Sequence, residues 1–454
     1  MNKLAPLILL VGIELVVFFA GIVLHPALMV GIPIGMILLW WMLNHPGMSV
    51  VLLMFTGVVK GYILAVFPMT SAVDITIILV LITWAGLAKR LLEGSFAIDK
   101  ELYTVFWLFT LFALFVLFSA FYTPSPHYGW LKAARFSLIT FTMFLAPLVF
   151  LKTQEDSSFL TKSFNVFIAT MTVLFIGKLI YVVITGGLLG YLVRITFTGI
   201  NPIGPARVMS IGAGIALVYM FHLRNQINWK YGLIVFVMIL GTITTGSRGP
   251  LLSFFIGGSL YLLLFEPFHR RRLLLYTGVG ISIIIVLLLL LPENLTYRFL
   301  NISTGDYVMT QTGIKRYSTV ASRLDFWTMS LNAWISSIKN FFFGLGSGGF
   351  SSLFIWRDFR WYPHNFIFEI IVEFGLVGFL LLSSFLMKSW FFIWKEQSWS
   401  RESRIWIVSA LIMFFAALIS GDINDNRILW TLISLSVASI SVKDNHYYNV
   451  PTSS

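Results

Sequence analysis

Apolar runs long enough to cross about 30 Å of hydrocarbon recur along the chain, separated by short polar breaks. They lie near 5–24, 27–43, 48–67, 73–88, 102–122, 131–151, 163–185, 204–222, 229–245, 250–265, 273–291, 366–387, 403–420 and 427–442. In lipid each run must satisfy its own backbone, so each is read as a helix. The pattern predicts an all-α polytopic membrane protein with about 12–14 transmembrane helices. One stretch breaks the rhythm. Residues 292–365 form the single long segment between spans, and they contain SRLDFWTMSLNAWISSIKNF, which reads as an amphipathic helix. A Gly-rich turn, GLGSGGF, follows, and then an aromatic approach to His364. The loop is expected to pack over one membrane face. The predicted organisation is one integral membrane domain: N-terminal spans 1–200, core spans 201–291, the large loop 292–365, and C-terminal spans 366–454.

Charge sets the orientation. Lys89, Arg90, Lys100, Lys152, Lys162, the run Arg270-Arg271-Arg272, Lys388, Lys395, Arg401 and Arg404 all fall on one side of this alternation. Lys132, Arg135, Arg194, Arg207, Arg248 and Arg427 fall on the other. The positive-inside rule then places both termini in the cytoplasm and the large loop outside. The N-terminal run lacks a small-residue cleavage site and is expected to be a retained span, not a leader peptide. Composition narrows the classes further. With 58% hydrophobic and 11% charged residues and a mean hydropathy of +0.88, a soluble domain is excluded. The absence of cysteine excludes disulfides and thiol catalysis. The net charge of +12 is scattered over short loops, so nucleic acid is not an expected partner.

The residues that could carry chemistry gather on the outer side. Arg248 lies in Gly246-Ser247-Arg248-Gly249-Pro250, between two short apolar runs. A charge set at that depth is expensive, and the turn opens a helix N-terminus that favours an anion. Arg323 and Arg207 also stand at predicted helix starts. Converging arginines would grip a diphosphate bidentately, whereas Arg323 alone would pair with Asp325 or solvent. His364 is a titratable imidazole at a membrane–water boundary, a candidate acid or base, or else a polar cap on the next helix. Glu369 and Glu373 share a helical face and are read as interior hydrogen-bonding groups or partners of the arginines. Asp422 and Asp425 with Arg427 form a compact polar turn. Lys60, Asp74, Lys178 and Glu14 are read as interior pairs or interfacial side chains. HExxH, paired-histidine and nucleotide-binding motifs are missing, so neither metal nor cofactor is expected.

Together, Ser247-Arg248-Gly249, Ser322-Arg323 through Trp327, the run Phe343–Phe350 and PHNFIFEIIVEFGLVG from Pro363 resemble the O-antigen ligase and O-antigen polymerase superfamily. The resemblance covers about Asn201–Leu435. It implies a GT-C-like glycosyltransferase of the bacterial inner membrane acting on its outer face without metal. Arg248, Arg323 and Arg207 would hold the diphosphate, His364 would activate the acceptor hydroxyl, and Asn365, Glu369, Asp422 and Arg427 would support them. The implied donor is an undecaprenyl-diphosphate-linked oligosaccharide. The implied acceptor is a second glycan (polymerase) or a lipid A core (ligase), with membrane lipids and a chain-length regulator protein as further expected partners. Polymerase is preferred because more polysaccharide pathways use one. A lipid-linked-glycan transporter or flippase is the alternative of another class; it would show repeat symmetry and charges lining a central path.

Overall fold

The computed structural model describes residues 28–66, 74–186, 202–221, 228–266, 278, 307–310, 313–316, 319–354, 358–396 and 399–442. Its helices are α1 (Leu28–Asn44), α2 (Gly47–Met54), α3 (Thr56–Val66), α4 (Ile75–Leu92), α5 (Tyr103–Ser119), α6 (Pro126–Arg135), α7 (Phe141–Phe150), α8 (Gln154–Gly186), α9 (Ile203–Phe221), α10 (Trp229–Thr244) and α11 (Arg248–Phe265). The long loop follows, with a small antiparallel hairpin, β1 (Tyr307–Thr310) and β2 (Gly313–Arg316), and two helices, α12 (Thr319–Trp334) and α13 (Ile338–Phe343). The chain then completes α14 (Phe366–Lys395), α15 (Arg401–Ile419) and α16 (Arg427–Ser441). The protein is an all-α polytopic membrane protein. The hairpin is its one β element among the described residues, and nothing in the loop's hydropathy pattern pointed to it.

Every apolar run predicted within the described residues coincides with helix, while the predicted spans 5–24 and 273–291 lie outside them. By length and hydropathy, eight of the described helices can cross a membrane, or nine if a bent pair is one span. That pair is 36–44 with 47–54, which turn 114° at His45-Pro46. Proline cannot donate the helical hydrogen bond, so the chain bends there. The predicted run 48–67 is also divided, because the helix breaks at Phe55 between α2 and α3. Thr56 at this break donates its hydroxyl to the Leu53 carbonyl and accepts from Arg427 Nη2 at 2.9 Å. Small residues let the core helices approach closely. A Cβ added to Gly257 of α11 would sit 2.8 Å from the Ile412 backbone of α15. One continuous core runs through α9, α15 and α16, with Trp406 and Trp430 fully buried.

Helix α14 is the frame for the site. At 30 residues and 1.5 Å rise it spans roughly 45 Å, but it is not continuous. Gly375 adopts φ 61°, ψ −159°, which interrupts the helical ladder. The carbonyls of Val372 and Glu373 lose their helical donors there. The Gly-rich turn of the loop supplies replacements: Leu345 N–H donates to Val372 O at 2.9 Å and Gly346 N–H to Glu373 O at 2.8 Å. The glycines are steric necessities. A Cβ on Gly344 (φ 71°) would lie 2.3 Å from Glu373 C, and one on Gly375 would lie 2.5 Å from Phe342 C. The Gly-rich turn of the large loop is therefore inserted into the bundle at the break of α14.

Candidate active site

The first segment of α14 opens at Asn365, whose Oδ1 accepts from the Ile367 and Phe368 amides at 2.9 and 3.4 Å. This cap satisfies amides that begin the helix without partners. His364 stands immediately before it with φ 60°, a left-handed conformation uncommon for a residue with a Cβ. Such strain persists only where the surroundings enforce it. Here α12 does so. Trp327 Nε1 donates to Pro363 O at 3.1 Å, and its ring stacks on Phe368 at 5.1 Å. Phe326 lies nearly parallel to the imidazole of His364, ring centres 6.2 Å apart, and the Tyr362 ring packs on the same imidazole at a tilt, 4.5 Å away. Arg323 precedes Phe326 and Trp327 by three and four residues, the spacing of one helical face. The face of α12 that orients His364 thus also carries the arginine.

Arg323 is near a second cation. Burial pushes its guanidinium below the ordinary arginine value, and the neighbouring charge of Arg248 pushes in the same direction, while Tyr362 opposes them. Arg248 is the first residue of α11, after Ser247 and after Gly246 at φ 66°. Two half-buried guanidinium groups thus lie in mutual electrostatic range, one of them at a helix N-terminus, where backbone amides favour negative charge.

Beneath His364 lies an ion triad. Lys132 Nζ, on α6, is 2.6 Å from Glu369 Oε1 and 2.6 Å from Glu373 Oε2, and all three side chains are fully shielded from solvent. The carboxylates hold backbone as well. Glu369 Oε1 accepts from Ile423 N at 3.2 Å, and Glu373 Oε2 accepts from Gly348 N at 2.9 Å. The triad therefore ties α6, α14, the Gly-rich turn and the 420–426 turn to one point. Of the two sequence readings of Glu369 and Glu373, interior hydrogen-bonding groups fits their contacts, and the cation they share is Lys132 in place of an arginine. Lys132 itself, read from sequence as a charge of the outer boundary, is interior.

A second group of charges closes the site from the 420–426 turn. Arg360 Nη2 lies 2.6 Å from Asp425 and its Nε 3.3 Å from Asp422. Burial opposes its charge, but Asp422 and Asp425 overcome that and hold the guanidinium above its ordinary value. Burial, and Asp422 beside it, push Asp425 above the usual carboxylate range, against Arg360 and Arg207. Burial, then Asp425 and Asp422, push the Tyr362 phenol well up, so Tyr362 is a neutral donor at working pH. Arg207 is buried and donates to Ser420 O at 2.8 Å and to Asn426 Oδ1 at 3.1 Å. Among the described residues no group of three His, Asp or Glu side chains could hold a metal ion.

Of the residues predicted from sequence, Arg248, Arg323, Tyr362-neighboured His364 and Asn365 converge. Glu369 lies one turn into α14 from His364 and serves the triad. Asp422 and Arg207 shape the 420–426 turn, Asp422 through Arg360 and Arg207 through the backbone. Arg427 lies apart, joining α16 to α3 through Thr56. Sequence reasoning missed Lys132, Arg360 and Tyr362. The signal for Lys132 was available: two carboxylates sharing a face inside the bilayer demand a cation from another span. Arg360 and Tyr362 sit in the aromatic approach to His364 and carry no distinguishing motif.

Residues 233–383 match the family described as O-Antigen ligase, a range that contains Arg248, Arg323, Arg360, His364, Glu369 and Glu373. The chain is also 24% identical over 254 residues to the teichuronic acid biosynthesis protein TuaE of Bacillus subtilis (strain 168), across 52% of this chain and 50% of that protein. The chain thus spans about half the length of the curated relative it matches.

Proposed function

We propose that this chain, whose residues 233–383 match the O-antigen ligase family, transfers a glycan from a lipid diphosphate to a sugar hydroxyl at the outer face of the inner membrane. The observation that carries this reading is that Arg323 stands on the face of α12 that orients His364, within electrostatic range of Arg248 at the start of α11, while Tyr362 packs on the imidazole. Two guanidinium groups at one place offer the charge and the forked donors that a diphosphate takes. In the transfer, the acceptor oxygen attacks the anomeric carbon and the bond from that carbon to the diphosphate oxygen breaks. The departing lipid diphosphate takes the electron pair, and the arginines neutralise it. The hydroxyl proton passes to the imidazole of His364. Attack opposite the leaving group inverts the anomeric centre. Neutral Tyr362 donates to an oxygen of either substrate.

Undecaprenyl diphosphate is the donor class we assign, and a growing lipid-linked glycan the acceptor. The curated relative is named for teichuronic acid biosynthesis, which supports the polymerase reading over transfer to a lipid A core. The test uses purified protein in detergent with a diphosphate-linked oligosaccharide, EDTA and no nucleotide. A ladder of longer lipid-linked glycans that is lost in His364→Ala supports the assignment. Transfer only when lipid A core is added makes the protein a ligase, and full activity of His364→Ala removes the histidine from the chemistry.

A further inference from the structure

Helix α12 is apolar on two opposite faces. One face, with Phe326 and Ala333, packs on Phe350, Val372 and Trp361. The other presents Leu324 and Leu331, with Ile335 just past the last helical residue, and these are 48%, 40% and 63% exposed. Their spacing of seven and four residues puts them in one stripe along the helix. The stripe continues onto α13, where Ile338, Phe342 and Phe343 are also exposed, Ile338 to 81%. In water such a continuous apolar surface on an extramembrane loop is costly and marks a partner.

The surroundings say which partner. The end of α13 lies level with the end of a membrane span. Tyr122, three residues beyond α5, donates its hydroxyl to Phe343 O at 2.8 Å, and Ser119 Oγ at the last turn of α5 accepts from Ser347 N at 3.0 Å. Beside this point the exposed aromatics Phe118, Phe121 and Trp130 form the belt expected where spans leave the hydrocarbon. Phe121 and Trp130 meet edge to face at 4.8 Å. The Gly-rich turn after α13 reaches deeper still, docking onto α14 at Val372 and Glu373, two turns beyond its start. The ammonium of Lys339 is held by Gly344 O at 2.7 Å and lies 4.5 Å over the Tyr122 ring, on the side of the spans.

We propose that the stripe of α12 and α13 lies in the bilayer, with Leu324, Leu331, Ile335, Ile338 and Phe342 seated among the lipid chains of the leaflet at this end of the bundle. The helices that orient His364 are then anchored to lipid on their far side. The bilayer in which a lipid-linked donor would lie begins where the catalytic segment is held.

The chain has no cysteine, so single cysteines can be labelled without background. Leu331→Cys, Ile335→Cys and Ile338→Cys carry a nitroxide in liposomes of phosphatidylethanolamine and phosphatidylglycerol, with Glu93→Cys, in an exposed turn, as the aqueous reference. These side chains are exposed, so the labels displace no packing. The expected result is collision with oxygen several-fold above the reference, and with a water-soluble nickel chelate several-fold below it, at all three positions. Nickel collision equal to the reference overturns the proposal. Dipolar broadening between labels at Ile338 also overturns it, because a second copy of the chain then covers the stripe. Retention of the oxygen-accessible signal after transfer to detergent micelles, with nickel still excluded, supports it again.

Discussion

Lys132 Nζ lies 2.6 Å from Glu373 Oε2 although the two residues are 241 positions apart and neither side chain touches solvent. The same ammonium holds Glu369, one turn nearer His364. A single cation therefore positions both the start of α14 and, through Glu373 and Gly348, the turn inserted at its break.

Removing that cation leaves two buried carboxylates facing each other. Lys132→Met is expected to destabilise the protein by about 3–5 kcal/mol. The triple variant with Glu369→Gln and Glu373→Gln removes the charges together and is expected to recover most of the loss. Thermal unfolding in detergent checks both, and a triple variant no more stable than Lys132→Met contradicts the electrostatic account.

The break of α14 depends on backbone that only glycine adopts without strain. Gly375→Ala places a Cβ 2.5 Å from Phe342 C at φ 61° and is expected to cost at least about 1–3 kcal/mol. Because the Gly-rich turn must then withdraw, limited proteolysis within 340–354 is expected to quicken. Unchanged cleavage there would show that the turn docks independently of the kink.

The two arginines predict a split between stability and function. Arg323→Gln relieves the repulsion with Arg248 and is expected to leave the unfolding temperature unchanged or raised. It should weaken donor binding about 10- to 100-fold, the value of one to two charge-assisted hydrogen bonds. Donor KM and unfolding measured on the same preparation decide the matter. A fall in stability with an unaltered KM would make Arg323 a structural residue.

Alkaline pH should loosen the loop through Tyr122. Burial pushes this phenol up to about 12 from 10.0. The folded state resists its ionisation, so its stability contribution is complete below 10.0 and is lost as pH climbs toward about 12. Tyr122→Phe is expected to flatten the fall in unfolding temperature across that window, at the cost of the hydrogen bond to Phe343 O. An alkaline profile identical to that of the unmodified protein would assign the loss to other groups.

The sequence by itself determined the class of the molecule and most of its helices, because the bilayer imposes length and apolarity locally, run by run. It also singled out Arg248, Arg323 and His364, since charge and imidazole at a membrane boundary are conspicuous against an apolar background. It located Glu369 and Glu373 on one face but not the cation they share. Only the tertiary structure decided that partner, the break of α14 at Gly375, the inserted turn 344–349 and the closure by Arg360 on Asp422 and Asp425. Each of these joins segments far apart in the chain, and the energy of such a contact depends on distance in space, which hydropathy and spacing along one helix do not encode.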